Sequence, residues 1–393
     1  MLTLITKCTE YCNANCVYCA VRDKDEKRDR MSIDVLRALL TRVAEYLRTD
    51  PQRRVYITWH GGEPMLMGAD FYRAVRLLQR EILGWDAPRL RHSMQSNLTL
   101  LTPELVGVLR EMGLQSIGSS YDYTPGLRGL APGRDHLEYE RRFFEGVELL
   151  QRNGISTGII FVVTSKSVDA PVETLVFMCN LLGKRYRGHI RLNPLYREGE
   201  ASKDMNADLA ISPEQFGHFL GRAFEYWLPR RNLLPGVAPF SALARAVEGD
   251  VGRLSCEEAG RCGNTHLAIG PRGEVWQCGR AMDNESLQFG TLDQSFEEIF
   301  RHPMKRDLVG RTPHLREADC KGCEVWDLCH GGCPVDSLIY HHDWLHKTWF
   351  CRTRQVFLGE YVLPLMAGRA AAAKAAPQAP AGGAGGTGPR RTY

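Results

Sequence analysis

The sequence predicts an α/β fold: a parallel sheet built from strand–helix units, open or curled into a partial barrel, followed by a loop-rich, cysteine-rich module. Three observations predict it. Strand-like and helix-like segments alternate from residue 1 to about residue 228. Eight of the 13 cysteines fall between residues 256 and 351. The composition, 44% hydrophobic and 24% charged, is that of a globular chain able to bury a core.

The strand candidates come in order as "LTLIT" (2–6), "VYITW" (55–59), "RHSMQSN" (91–97), "QSIGSSYD" (115–122), "ISTGIIFVVT" (155–164) and "HIRLNPL" (189–195). Amphipathic stretches separate them. "SIDVLRALLTRVAEYLR" opens at Ser32, an N-cap residue, and carries apolar residues at helical spacing. "TPELVGVLREMG" sets a cap at Thr102, proline in the first turn and Gly113 at the end. "SPEQFGHFLGRAFEYW" repeats that opening at Ser212. In barrels of this kind the chemistry sits on the loops that follow the C-terminal ends of the strands.

Three regions are expected: 1–228 as the partial barrel, 229–366 as the cysteine-rich module, and 367–393 as a disordered tail of Ala, Gly and Pro. "GAGGTG" (Gly383 to Gly388) fits a nucleotide-loop pattern but lies in that tail, with no strand before it or helix after it. The run "RDKDEKRDR" (Arg22 to Arg30) alternates in sign and reads as a solvated loop. A formal net charge of +4 is too balanced to argue for nucleic acid or a charged membrane surface. No apolar run reaches membrane-spanning length and no signal-peptide pattern opens the chain, so a cytoplasmic protein is expected. In a reducing compartment, clustered cysteines bind metal or do redox work more often than they form disulfides.

Cys12, Cys16 and Cys19 are spaced C-x3-C-x2-C directly after the first strand. Three thiolates can take three corners of a cubane iron–sulfur cluster and leave one iron open, and an open position makes a metal site reactive. A zinc site or free thiols are the alternatives that spacing alone leaves standing. "WHGGEP" (Trp59 to Pro64) follows the second strand, where a barrel places its ligand loops; its glycines permit close backbone approach. Together these stretches resemble the radical S-adenosylmethionine (radical SAM) superfamily. The resemblance implies a four-iron cluster on Cys12, Cys16 and Cys19 whose open iron chelates S-adenosylmethionine. One electron then cleaves the cofactor to methionine and a deoxyadenosyl radical, which takes a hydrogen atom from substrate. It further implies that Gly61, Gly62 and Glu63 contact the methionine amino group, and that Ser96, Asn97 and Ser120 hold the ribose and carboxylate. Strand-end capping is the competing role of those last three. Ala20–Val21 stands where an aromatic more often touches adenine, so contact through the backbone is expected there.

The later cysteines run C-x5-C (256, 262), then Gly273 five residues before Cys278, then C-x2-C-x5-C-x3-C (320, 323, 329, 333) and Cys351. Eight thiolates serve two zincs as well as two cubanes, so the count alone does not choose. The order of spacings is similar to the SPASM extension of radical SAM enzymes. Carried over by position, Cys256, Cys262, Cys278 and Cys333 hold a first auxiliary four-iron cluster, and Cys320, Cys323, Cys329 and Cys351 a second. With the first, that makes three [4Fe-4S] clusters. Up to about residue 360 the chain resembles anaerobic sulfatase-maturating enzymes and peptide-modifying (RiPP) maturases. It departs from the sulfatase maturases at Gly279, where they carry an Asp that is their candidate proton acceptor. Tyr121 and Asp283 are weak substitutes, each with packing or surface exposure as its default. His341, His342 and His346 cluster in sequence but face cysteines that already fill two clusters. Cys179, in an apolar helix, and Cys8, outside the family spacing, read as packed thiols.

The expected function is hydrogen abstraction from a peptide or protein side chain, giving an oxidative modification or a crosslink. Formylglycine generation, a small-molecule radical dehydrogenase and a non-enzymatic multi-cluster electron carrier are the alternatives. The chain opens at the first strand, with no leader-binding domain ahead of it, which implies a separate leader-peptide-binding protein or direct recognition by the barrel. An external electron donor such as flavodoxin or ferredoxin is the remaining expected partner. Substrate identity and the bond formed are not written in the sequence.

Overall fold

The computed structural model describes residues 1–21, 26, 28–182, 188–250, 254–282 and 284–368. Asp283, most of the Arg22–Arg30 run and nearly all of the expected tail lie outside the described residues.

The strands are β1 (Leu2–Thr9), β2 (Val55–Gly61), β3 (Leu90–Gln95), β4 (Ser116–Ser120), β5 (Ser156–Val163), β6 (His189–Pro194), β7 (Gly236–Ala238), β8 (His266–Ile269), β9 (Glu274–Trp276) and β10 (Gly290–Thr291). They form one sheet in the order β10-β9-β8-β1-β2-β3-β4-β5-β6-β7. Every pair from β8 through β7 is parallel; β9 and β10 are added antiparallel. All six predicted strands are present, with ends shifted by a few residues.

Six longer helices follow the first six strands: α1 (Ile33–Arg48), α2 (Gly68–Leu83), α3 (Pro103–Glu111), α4 (His136–Arg152), α5 (Pro171–Leu182) and α6 (Pro213–Trp227). The caps read from sequence are in place. Ser32 accepts from the Val35 amide and Thr102 from that of Leu105. Ser212 and Gln215 form a reciprocal capping box on α6. Alternation in the strands sends one face to the helices, as in β2, where Val55, Ile57 and Trp59 are fully buried. Trp59 packs edge-on against Phe71 and Tyr72 of α2, at 5.8 Å from each ring.

The sheet does not stop at residue 228. The C-terminal part sends β8 back to the open edge of β1, in register from Thr3–His266 to Thr6–Ile269. An uncovered parallel edge exposes a row of backbone donors and acceptors, and β8 pairs them. The last segment, a π-helical stretch over Gln355–Val362, returns to α6. Gly217 and Gly221 of α6 leave a groove for it: a Cβ at Gly217 would lie 2.8 Å from Val356, and one at Gly221 2.3 Å from the Tyr361 ring. Phe357 completes the seam, 5.7 Å from Phe224 and 5.8 Å from Phe240. Among the described residues no helix is long and apolar enough to cross a membrane.

Phe357 is fully buried at this seam. Replacing it with alanine should cost about 3–5 kcal/mol of stability. Denaturant unfolding of F357A against the parent chain measures it.

Candidate functional site

The strand β1 delivers the first cysteines through an irregularity. Lys7 pairs with His60 and Thr9 with Gly61, so Cys8 has no partner in the register. This bulge turns the strand exit. The Cys8 side chain goes to the helix layer, with its Sγ 3.9 Å from the Tyr72 hydroxyl. Burial pushes the Cys8 thiol up to about 12. Cys8 is thereby separated from the trio that follows.

Cys12, Cys16 and Cys19 lie in the loop beyond the bulge, and Cys12 feels the charge of both others. Cys12 Sγ accepts from the Ala14 amide at 3.4 Å and from Asn97 Nδ2 at 3.9 Å. The loop rests on the Gly61–Glu63 turn after β2. The Gly62 amide donates to Thr9 O at 2.9 Å, and the Glu63 amide to Tyr11 O at 3.0 Å. Gly61 has φ +128°, and a Cβ there would sit 1.9 Å from Thr9 O. A Cβ on Gly62 would sit 2.2 Å from Tyr11 O. Both glycines are thus required by the cysteine loop itself.

Glu63 is fully buried and its carboxylate is occupied. It accepts from the Met65 amide (2.9 Å), the Ser96 hydroxyl (2.8 Å) and the Asn97 amide (2.7 Å). Burial raises its carboxyl to about 7, against the pull of those donors. Ser96 is therefore committed to Glu63. The Asn97 side chain is committed to Asn13 (2.9 Å) and the Thr99 hydroxyl (2.7 Å). Ser120 pairs only loosely with Gln95, at 3.4 Å. Ser96 and Asn97 also accept from the Leu98 and Thr99 amides, at 3.0 Å each, and so cap the turn after β3.

The C-terminal cysteines gather in two groups. Cys262 precedes β8 and Cys278 follows β9, so the antiparallel hairpin brings them together; Gln277 Nε2 donates to Cys262 O at 2.9 Å. Gly273 makes its turn with φ +90°. Cys256 lies in the field of Cys262 and Cys278, and Cys333 in that of Cys256. Burial raises the Cys256 thiol to about 12 and the Cys333 thiol further. The second group, Cys320, Cys323, Cys329 and Cys351, lines one small buried hollow. Burial raises Cys320 to about 11 and Cys329 to about 12. Desolvated thiols of this kind gain by giving up their protons to a metal. Among the described residues no three His, Cys, Asp or Glu side chains are arranged for a single metal ion.

Several participants were not found by reading the sequence. Asp122, after β4, is buried and accepts from the Val162 amide (3.1 Å), Arg128 (2.5 Å) and the Tyr18 hydroxyl. Tyr18 stands between Cys16 and Cys19, so this network fixes the loop from the other side. Arg280 pairs with Glu198 and with Asp336 (2.7 Å), lies 3.8 Å over the Tyr196 ring and donates to Cys333 Sγ at 3.9 Å. The signal for Asp122 and Arg280 is only their nearness in sequence to a strand end and to Cys278. Gly279 has no side chain, and a Cβ there would meet Ile5 at 3.1 Å and Lys7 at 3.9 Å. Tyr121 is no proton acceptor for this region: its ring stacks on Phe143 at 4.9 Å in the helix layer and its hydroxyl donates to Glu140 at 2.8 Å. His346 pairs with Asp319 at 3.2 Å, and Cys179 is buried in α5.

A cavity of about 350 Å³ opens between these groups, lined by Ala20, Glu198, Ser202, Arg280, Asn284 and Leu338. It joins the residue after Cys19 to the neighbourhood of Cys333. A larger hollow of about 590 Å³ lies at the opposite ends of β2 to β4, by Tyr56, Arg91 and Ser116, away from every cysteine group.

The family model for the radical SAM superfamily matches residues 6–178. A serine-type anaerobic sulfatase-maturating enzyme of Klebsiella aerogenes is 26% identical over 329 residues, 82% of this chain and 77% of that one. The solved structure of native anSMEcpe with bound AdoMet and Kp18Cys peptide matches with a TM-score of 0.77 at 21% identity, over 94% of this chain and 99% of that one. Streptococcus suis SuiB bound to precursor peptide SuiA matches with a TM-score of 0.59 at 17% identity, over 89% and 75%. The fold is the partial radical SAM barrel with its cysteine-rich SPASM extension.

Gly62→Ala should displace the cysteine loop, because the obstructing atoms are backbone carbonyls of Glu10 and Tyr11. A lower Tm together with lost S-adenosylmethionine cleavage is the expected result; an unchanged Tm would show that the contact is not needed. Glu63 gives a pH signature. Its folded pKa, about 7, lies above its ordinary 4.5, so its contribution to stability is full at low pH and is lost as pH rises through that window. Urea unfolding without S-adenosylmethionine, compared between about pH 5 and about pH 7.5, should show a smaller loss for E63Q than for the parent chain. Parallel losses would place the carboxyl's folded pKa near its ordinary value.

Proposed function

On the match of residues 6–178 to the radical SAM superfamily, we propose that the chain is a radical SAM enzyme that oxidises or crosslinks a side chain of a peptide or protein. The observation that carries the reading is a cavity that runs from Ala20, the residue after Cys19, to the Arg280–Glu198 pair, whose guanidinium donates to Cys333 Sγ, in a chain with eleven clustered thiols. Bound to Cys12, Cys16 and Cys19, an iron–sulfur cluster supplies the electron that cleaves S-adenosylmethionine and so yields the hydrogen-abstracting radical.

The chain's own residues do the rest. The Gly61–Glu63 turn offers backbone groups beside the cysteine loop while its carboxylate stays internal. His60, whose Nδ1 accepts from the Gly61 amide at 2.8 Å, is held neutral by burial and by Lys7, with its pKa lowered to about 4. Arg280 and Glu198 line the cavity as an ion pair, Asp336 bonds the same guanidinium from behind, and apolar Leu287, Val335 and Leu338 complete the wall and limit water there. After hydrogen abstraction, each expected product requires removal of one further electron. Cys256, Cys262, Cys278 and Cys333, nearest that cavity, would hold its acceptor. Cys320, Cys323, Cys329 and Cys351 would hold a second cluster leading to an external donor or acceptor such as flavodoxin or ferredoxin. A separate leader-binding protein fits a ribosomal peptide substrate.

Formylglycine generation is the second reading, favoured by likeness to a serine-type sulfatase maturase over 82% of the chain. Gly279 speaks against its usual proton acceptor. Anaerobic incubation with S-adenosylmethionine, reductant and candidate peptides, followed by mass spectrometry, separates the two: formylglycine carries a defined loss from serine or cysteine, whereas a crosslink loses hydrogen while joining two residues. Absence of deoxyadenosine under every reducing condition would end both.

Iron analysis should give about twelve irons per chain, as three four-iron clusters require; about two zincs without sulfide would mean a scaffold. Cys12→Ala, Cys16→Ala or Cys19→Ala should each abolish S-adenosylmethionine cleavage, while Cys8→Ala keeps both iron and cleavage. Cys351→Ala with turnover fully intact would remove the electron-transfer role of the second group.

A further inference from the structure

The helix Pro303–Glu317 turns a stripe of Lys305, Leu308, Arg311 and Leu315 inward, all four buried. Two long cations on the apolar stripe of a helix are unusual, because a buried charge needs a counter-charge. Neither has a carboxylate partner among the described residues. Lys305, fully buried, donates to His266 O (3.0 Å) and Gln277 Oε1 (2.5 Å) and lies within 5.1 and 5.5 Å of the Phe300 and Phe289 ring centres. Arg311 spends its donors on four main-chain carbonyls: Trp344 (2.6 Å), Gly332 (2.9 Å), Gly331 (3.0 Å) and His346 (2.8 Å). Carbonyls satisfy hydrogen bonds but cancel no net charge.

The other buried guanidiniums of the region are compensated: Arg280 by Glu198 and Asp336, Arg354 by Glu257 and Glu258. What does face the two lone cations is sulfur. Lys305 bonds Gln277, the residue before Cys278, whose side chain also donates to Cys262 O at 2.9 Å, and Arg311 bonds the carbonyls of Gly331 and Gly332, which lie between Cys329 of one group and Cys333 of the other. Burial lowers both cations, Lys305 to about 7, and the charges of these cysteines oppose that shift.

We propose that Lys305 and Arg311 are the resident counter-charges of the two C-terminal thiolate groups, Lys305 serving the first and Arg311 both, and that they raise the reduction potential of the clusters held there. Their role is positioning and electrostatic; no bond forms or breaks. Thiolate-ligated iron–sulfur cores are net negative and become more so when one electron enters, so a nearby fixed cation favours the reduced form. The inference rests on the reading that both groups hold four-iron clusters.

The test uses the full chain with Cys12, Cys16 and Cys19 replaced by alanine, so that only the C-terminal clusters remain visible. Iron and sulfide are counted first; about eight irons are required, and their absence defeats the cluster reading rather than this one. Redox titration followed by electron paramagnetic resonance then reads each midpoint potential. K305Q should lower one signal and R311Q both, whereas R311K, which keeps the charge and gives up the planar fork, should stay near the parent values. R311Q with full iron and unmoved potentials overturns the proposal, as does R311K falling as far as R311Q. If R311Q fails to load iron, the R311K comparison decides alone. K305Q with both potentials unmoved overturns it whatever the Arg311 variants do.

Discussion

The contact between two backbones, Thr9–Tyr11 and Gly61–Glu63, holds the reactive end of the barrel together. Two amide bonds of 2.9 and 3.0 Å fix the cysteine loop to the turn after β2. Glu63 then ties that turn to the end of β3 through Ser96 and Asn97. Three consecutive strands are thereby locked at their C-terminal ends, β1 to β2 by two backbone amides and β2 to β3 by one buried carboxylate. Its desolvation is unfavourable, and three donors offset it; removing the carboxylate would leave them unsatisfied, at about 1–3 kcal/mol for each. The turn after β2 is built on internally satisfied polar groups.

A second constraint acts through the sheet. β8 adds to β1, and the β8–β9 hairpin brings Cys262 and Cys278 together beside the barrel's first strand. Arg280 then spans from the hairpin to Glu198 after β6 and to Asp336 beside Cys333. One guanidinium joins barrel and extension, and it lines the cavity between the cysteine groups. The extension is continuous with the barrel's sheet and walls its cavity.

Legibility followed the range of the interaction. Caps at Ser32, Thr102 and Ser212 were readable because a cap is decided within four residues. Strands of the barrel were readable from runs of β-branched residues bounded by turns. The short strands β7 and β8 were not, because three or four residues carry too little pattern and gain their identity from a partner strand far away in sequence. The Glu63 motif is legible because it stands at a strand end; that its carboxylate bonds Met65, Ser96 and Asn97 is decided by the fold. Lys305 and Arg311 stand in "HPMKRDLVGR" with nothing local to mark them as buried, and only the orientation of their helix buries them.

By itself the sequence determined the chemistry available: three thiols after the first strand and eight more beyond residue 255, a glycine pair after β2, and Gly273 where a hairpin turns left-handed. Those are local matters of residue type, spacing and permitted dihedral angle. Tertiary structure decided which groups face one another. It sent Cys8 to the helix layer, turned the Glu63 carboxylate inward, removed Tyr121 from the cavity and set two uncompensated cations against the thiol groups. Burial and direction depend on how distant segments pack, and no short stretch of sequence contains that information.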